Sequence, residues 1–463
     1  MTTPTLHRVD PAILGEYDVR GTVGRTLFPA DVHALARALA TQVRAGGGRR
    51  MAVGWDGRLS SPELGRAAVE GVRAAGVDVL ELGTVPTPLL YFAVHELADG
   101  GIQVTGSHNP PDQNGLKFMR GTQTVYGEAI RELARLAESG SYAAGRGRVY
   151  PISVMDAYLD TALRDAPTGG LSVVWDPGNG AAGDVITELT RRLPGTHTLI
   201  NAAIDGTFPA HHPDPTVPEN LAQLQRAVID GGHDLGVAFD GDGDRLGAVD
   251  RHGRPLAGDE LLLMLAREVV AANPGAPVIA DVKTSRVVFD ALTEWGAEPV
   301  MWKTGHALIK AKMRELNAPL AGEMSAHIFF NDTWYGFDDA IYAAIRLVRC
   351  LDATDGDLAA MKDALPPTVA TPERRIPVPG ERKVEIIEQV RASLADSPHA
   401  VIAIDGVRAT LPDGWWLIRA SNTQDVLVAR CEAGSEAALH RLAADLRQRL
   451  THAGVPSENV QSL

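Results

Sequence analysis

The sequence predicts an α/β protein: three related α/β domains with mixed, largely parallel sheets, then a smaller C-terminal α+β domain with an antiparallel sheet. Three observations carry this. The 463 residues exceed what one hydrophobic core serves and suggest about three or four domains. Short β-rich segments alternate with helical ones through most of the chain, the pattern of largely parallel sheets. A strand–aspartate–helix unit recurs, its opening strands ending at Asp56, Asp176 and Asp281, with a period too long for a solenoid.

In the first copy, Asp31 to about Val43 reads as a helix and Met51 to Trp55 as a strand ending in Asp56-Gly57-Arg58. A helix from Pro62 to Ala75 closes at Gly76, and a second strand runs from Val77 to Leu82. The apolar run Gly101 to Val104 then leads into Thr105-Gly106-Ser107-His108-Asn109-Pro110, a turn-rich loop. The second copy has a helix from Met155 to Leu163, a strand from Leu171 to Trp175, a helix from Ala182 to Leu193 and a strand from His197 to Ile200. Its strand Leu235 to Phe239 ends in Asp240-Gly241-Asp242-Gly243-Asp244-Arg245. The third has a helix from Asp259 to Ala272, a strand from Val278 to Asp281, a helix from Arg286 to Trp295 and a strand from Pro299 to Trp302. Its polar loop is Gly322-Glu323-Met324-Ser325-Ala326-His327. Such loops fall at the C-terminal ends of strands, where α/β sheets place ligands.

The tail differs. Proline-rich Pro366 to Pro379 reads as a linker and is the expected hinge of the last domain. A helix from Glu381 to Leu394 precedes strands at Val401 to Thr410, Trp415 to Ile418 and Val426 to Arg430. Ser435 to Thr451 is an amphipathic helix with Leu439, Leu442, Leu446 and Leu450 on one side. The expected domains are therefore 1–153, 154–254, 255–367 and 368–463.

A net charge of −14 argues against nucleic acid or an anionic membrane as the main partner. Aromatic residues are 5% of the chain, too sparse for a base-stacking platform. The two cysteines, Cys350 and Cys431, suit a reducing compartment. The start lacks the apolar core of a signal peptide and no apolar stretch is long enough to span a membrane. A cytoplasmic protein is expected. Nothing in the sequence demands an oligomer, so a monomer is expected too.

Asp240, Asp242 and Asp244 form the strongest local signal. Carboxylates alternating with glycine wrap a hard cation with little steric cost. An EF-hand would want glycine and glutamate where this chain has Arg245 and Arg251, so Mg²⁺ shared with a phosphate fits better than Ca²⁺. The bland alternative is an acidic solvated turn. Ser107, beside His108, is a candidate nucleophile, with His108, Lys117 and Arg245 as donors or proton carriers. Taken alone, Lys117 reads as a solvated surface lysine. Glu323, Ser325 and His327 suit hydrogen bonding to neighbouring sugar hydroxyls. Arg419-Ala420-Ser421-Asn422-Thr423 offers charge-assisted and neutral donors for a phosphate.

Taken together and in order, these four loops resemble those of the α-D-phosphohexomutase superfamily. Tyr17-Asp18-Val19-Arg20-Gly21, Phe208 to Pro215 and Trp334 to Asp339 make the chain most similar to its bacterial phosphomannomutase/phosphoglucomutase group. The resemblance implies four domains around a central cleft. It implies a phosphoserine at Ser107, and Mg²⁺ held by Ser107 with Asp240, Asp242 and Asp244. Hexose 1-phosphates and 6-phosphates of mannose and glucose would interconvert through a 1,6-bisphosphate, with glucose 1,6-bisphosphate as activator. Arg419, Ser421, Asn422 and Thr423 would hold the distal phosphate, and Glu323 and Ser325 the sugar hydroxyls. Tyr17, Lys283 and His306 would complete the substrate site. Arg20, Lys117, His306 and His327 are the acid/base candidates. Ala326 stands where the group often has glycine, a change expected to be tolerated. Gln424-Asp425 replaces an acidic residue or threonine followed by proline, which puts the rigidity of that loop in question. Rival readings are a metal-dependent phosphomonoesterase, an inactive sugar-phosphate sensor and a phosphoglucosamine mutase.

Overall fold

The computed structural model describes residues 6–352, 357–395, 397, 399–421, 424–461 and 463. Four sheets follow one another along the chain, with seven, five, four and six strands. In the first, Arg50–Trp55 lies parallel to Asp78–Thr84 and to Gly100–Val104, and Gln113–Arg120 returns antiparallel beside the latter. In the second, Leu235–Phe239 is parallel to Ser172–Asp176 and antiparallel to Leu246–Asp250. In the third, Pro277–Asp281 is parallel to Glu298–Trp302 and Leu320–Gly322, and Ile328–Phe330 turns back antiparallel to Leu320–Gly322. The fourth sheet is antiparallel in all its pairings.

This topology places the functional loops. Each α/β sheet sends a buried parallel strand into a polar loop and then an antiparallel return strand. The Ser107, Asp240 and Glu323 loops occupy that same reversal in three successive sheets. The fourth loop likewise joins two antiparallel neighbours, Gly414–Ala420 and Val426–Ala433.

The three α/β units share one core in addition to separate ones of their own. Phe92, Tyr158, Trp334 and Tyr342 come from different units and are all buried together. Trp334 stacks on Tyr342 at 4.3 Å and meets Tyr158 edge-on at 5.6 Å. Aromatic burial of this kind contributes about 1.5–3 kcal/mol per side chain, so it fixes the units against one another. The fourth unit has its own core, including Trp416, Ile418 and Leu446. It docks on the third through directional polar contacts. Arg408 Nη1 donates to the carbonyls of Val282 and Thr284 at 2.7 and 2.8 Å while its guanidinium lies 3.7 Å from the Trp415 ring centre. Glu432 Oε1 accepts from Ser285 Oγ, Arg286 N and Trp415 Nε1 at 2.9–3.0 Å.

Three expectations change. The proline-rich segment is not a linker. Val369–Ala370 and Arg374–Pro377 both pair with Val426–Ala433. Its prolines fall before, between, at the end of and after these short strands, where no ladder donor is needed. The crossover into the fourth unit is thereby confined to 364–368. The single strand expected from Val401 to Thr410 is two, Ala400–Ile402 and Val407–Leu411, paired antiparallel. The chain reverses at Asp405-Gly406, a turn dipeptide inside an apolar run. The second sheet also takes in Pro255–Leu256, just past the expected boundary at 254.

Candidate active site

Asp240, Asp242 and Asp244 are fully buried, and their carboxylates offer oxygens within 4.8 Å of one another. Burial, then the neighbouring Asp244 and Asp242 charges, hold the Asp240 carboxyl well above the ordinary carboxylate range. Burial pushes Asp244 the same way, but Lys117 and His327 outweigh it and keep this carboxyl well below its usual value. Lys117 is no surface lysine. It is buried, donates to Asp242 Oδ2 at 2.7 Å and also contacts Asp244 Oδ2. Thr87 Oγ1 adds a 2.6 Å hydrogen bond to Asp242. Even so, Asp242 Oδ1 remains buried without a hydrogen-bond partner, and Asp244 Oδ1 has no hydrogen bond but only the ion-pair contact of His327 Nε2 at 3.3 Å. Orphaned buried carboxylate oxygens are rare and call for a ligand. Hard oxygen donors in this number fit Mg²⁺.

Ser107 meets this cage directly. Its Oγ donates to Asp240 Oδ2 at 2.8 Å and lies 3.1 Å from His108 Nδ1. With the hydroxyl proton given to Asp240, the second contact requires the tautomer in which His108 Nδ1 carries hydrogen. Burial, then the Arg245 and Arg20 charges, hold His108 well below the ordinary histidine range. The two loops touch through backbone as well: a Cβ at Gly241 would lie 2.4 Å from the Ser107 carbonyl oxygen, so only glycine allows this approach. Ser107 itself has φ of +49°, left-handed backbone that a serine adopts at a cost.

Arg20 Nη1 donates to the Thr105 carbonyl at 2.9 Å, and Arg20 Nη2 pairs with Asp18 at 2.7 Å. Arg245 N donates to Asp240 Oδ1 at 3.1 Å, and its backbone bridges to that of His327. The third loop enters beside it. His327 Nε2 lies 3.3 Å from Asp244 Oδ1, and His327 Nδ1 lies 2.9 Å from Glu323 Oε2. Burial pulls this imidazole down, but Asp244 and Glu323 push it up to about 9. Glu323 Oε1 accepts from Gly305 N at 2.6 Å, so both its oxygens are engaged within the protein. Ser325 Oγ is 3.4 Å from His327 Nδ1. His306 Nδ1 is 3.2 Å from Asp338 Oδ2, and Lys310 donates to Asp338 Oδ1 at 2.7 Å.

One residue ties three units together through its backbone. The Thr304 carbonyl accepts from Tyr17 Oη at 2.7 Å, and Thr304 N donates to Asp405 Oδ2 at 3.1 Å. Asp405 Oδ2 also receives Arg419 Nε at 3.0 Å. Lys283 Nζ lies 3.8 Å from Asp281 Oδ2 and 3.3 Å from Glu373 Oε2, in the same neighbourhood. Ser421 accepts from Gln424 N through its Oγ at 3.2 Å. Asn422 and Thr423 lie outside the described residues.

Profile matches now cover this whole arrangement. The four domain models of phosphoglucomutase/phosphomannomutase match in order: α/β/α domain I over residues 11–142, domain II over 156–253, domain III over 257–369 and the C-terminal domain over 373–449. A phosphomannomutase/phosphoglucomutase of Pseudomonas aeruginosa is 42% identical, with 97% of this chain and 98% of that protein covered. The chain belongs to the phosphoglucomutase/phosphomannomutase family. It is thereby a member of the α-D-phosphohexomutase superfamily. A phosphoglucomutase of Neisseria gonorrhoeae is also 42% identical, with 93% of this chain and 95% of that protein covered. Among solved structures, a phosphoglucomutase/phosphomannomutase family protein from Burkholderia thailandensis superposes with a TM-score of 0.92 at 42% identity, covering 96% of this chain and 98% of that one.

The family frame sharpens both departures noted in the sequence. Ala326 has φ of +70°, which explains a preference for glycine there and makes alanine a strained choice. The loop after Arg419 lacks its proline, but Lys383 Nζ donates to the carbonyls of Ser421 and Gln424 at 3.0 and 2.8 Å and supplies a brace. Sequence reasoning missed Asp56, Arg58, Thr87, Lys310, Asp338 and Asp405. Asp56 and Arg58 end a recurring strand, Asp338 lies in the Trp334 to Asp339 motif and Asp405 precedes a turn glycine; Thr87 and Lys310 carry no local signal.

Proposed function

We propose that this chain interconverts hexose 1-phosphates and hexose 6-phosphates, carrying the phosphoryl group on Ser107. Mannose and glucose phosphates are the substrates named for its relatives. The observation that carries the reading is Ser107 Oγ, 2.8 Å from Asp240 in a buried three-carboxylate cage where Asp242 Oδ1 has no hydrogen-bond partner. In the first half-reaction the bond from Ser107 Oγ to phosphorus breaks as a sugar hydroxyl oxygen bonds to phosphorus. The sugar 1,6-bisphosphate then turns end for end, and its other phosphoryl group returns to Ser107. The proton of the attacking sugar hydroxyl ends on the serine oxygen: the neutral His108 ring takes a proton at its free nitrogen as Nδ1, 3.1 Å from Oγ, gives its own to the leaving serine oxygen, and the return transfer reverses this.

Asp240, Asp242, Asp244 and the serine phosphate would hold Mg²⁺. Bound there, the ion draws charge from the phosphoryl oxygens. Lys117 keeps two of those carboxylates apart and in place. Arg20 and Arg245 bring positive charge to the two loops that flank Ser107. Tyr17, Lys283, His306, Glu323, Ser325 and His327 form the wall that receives the sugar. Arg419, with Ser421, Asn422 and Thr423, takes the phosphate remote from Ser107. Glucose 1,6-bisphosphate serves as activator, because a serine without its phosphate must first be charged.

The test is conversion of mannose 1-phosphate and glucose 1-phosphate to 6-phosphates with Mg²⁺ and trace glucose 1,6-bisphosphate. Both substrates should convert, and Ser107→Ala should abolish both. Release of free phosphate in place of 6-phosphate would mean a phosphomonoesterase, and preference for glucosamine phosphate would move the chain to another branch of the superfamily.

A further inference from the structure

Behind Ser107 lies an arginine that the chemistry above does not use. Arg58 is buried, with 1% of its surface exposed, just past the strand Arg50–Trp55. Its Nε donates to Asp56 Oδ2 at 3.1 Å. Its Nη2 donates to the carbonyls of Ser107 and Asn109 at 2.7 and 2.6 Å, and its Nη1 to those of Pro110 and Gln113. A guanidinium has five N–H groups, and these five contacts use them all. Four go to carbonyls of one loop, the loop that presents Ser107.

The surroundings make the clamp rigid from both sides. Asp56 Oδ2 also accepts from Thr105 Oγ1 at 2.8 Å and Gly106 N at 3.0 Å. A Cβ on Gly106 would lie 2.3 Å from Arg58 Nε, so the guanidinium is packed flat against that peptide. On its far side the Phe208 ring centre is 5.2 Å from Arg58 Cζ. Arg58 is neutralised by Asp56 and has no donor left for a phosphate. What it holds is backbone: the left-handed Ser107, φ +49°, which the chain would otherwise relax.

We propose that Arg58 is a positioning residue for phosphoryl transfer, fixing Ser107 Oγ against the three-aspartate cage by saturating the carbonyls of its loop. This rests on the reading of Ser107 as the phosphoryl carrier. A planar fork with five fixed donors is required; a lysine offers one point charge and three donors. Misplacing the reacting oxygen by about an ångström costs about 100-fold in rate.

The experiment is steady-state kinetics of full-length wild type, Arg58→Lys, Phe208→Leu and Ser107→Ala, with melting temperatures measured alongside. Arg58→Lys should lose about 100-fold in kcat with KM held within about threefold, and phosphoserine hydrolysis per turnover should rise. Phe208→Leu, which keeps the guanidinium but removes its backing, should lose kcat by about three- to tenfold in the same pattern. If Arg58→Lys does not fold, Phe208→Leu alone decides: unchanged kcat overturns the proposal. It is also overturned if Arg58→Lys keeps wild-type kcat, or if its loss only tracks the unfolded fraction. Activity in Ser107→Ala would instead remove the carrier reading, whatever Arg58 does.

Discussion

The loop at Ser107 and the loop after Gly414–Ala420 are both reversals into an antiparallel strand, yet they are built in opposite ways. Around Ser107 the serine hydroxyl, four carbonyls and the Thr105 and Gly106 donors all have buried partners. Around Arg419, among the described residues, Asp405 takes the guanidinium, Lys383 donates to the Ser421 and Gln424 carbonyls and Arg375 to the Gln424 side chain, with Ser421 and Gln424 at least partly exposed. On the proposed reading one serine serves two ends of a sugar. The end that would make and break bonds is fixed by buried partners, and the described residues after Arg419, which would receive the remote phosphate, are more open to solvent. Pre-organisation is concentrated where charge moves.

That contrast can be broken from either side. Ser107→Ala should lower turnover by at least about 1,000-fold on both sugars, because the carrier is gone. Asp242→Asn, measured across a Mg²⁺ titration, should lose about 100-fold and shift the metal requirement upward, since one orphaned oxygen and one Lys117 partner disappear together. Arg419→Ala should act on the other variable. A charge-assisted phosphate contact is worth about 1.5–3 kcal/mol, so KM should rise by about 10- to 100-fold with a smaller change in kcat. A fall in kcat alone would mean that the fourth unit positions the reaction rather than the phosphate. The smallest effect belongs to Ala326→Gly. Relief of left-handed backbone should raise stability by about 0.5–1 kcal/mol, read as a higher melting temperature at unchanged turnover.

Most of the site's loops were legible in the sequence because they interrupt apolar strands with residues that have no place in a core. Asp240, Asp242 and Asp244 are the clearest case. The alternation of strands and helices likewise declared the three α/β units. What stayed hidden was whatever depends on backbone partners or on distant chain. Arg58 looks like a surface arginine because its acceptors are carbonyls 49 to 55 positions away. Lys117 lies on Gln113–Arg120, a strand that Asn114-Gly115 disguises as a turn. Five prolines from Pro366 to Pro379 spelled a linker, although pairing along one edge of Val426–Ala433 needs few of their missing donors. Thr304 gave no signal of its own; only the folded chain shows Tyr17 and Asp405 meeting at its backbone.

On the proposed mechanism, Ser107 itself carries the phosphoryl group between the two ends of the sugar. This is tested most directly by following a labelled phosphoryl group from glucose 1,6-bisphosphate through the enzyme. Label should appear on the peptide containing Ser107 and pass from there into hexose phosphate when unlabelled mannose 1-phosphate is added. Label that never reaches Ser107 while both sugars still interconvert would contradict it.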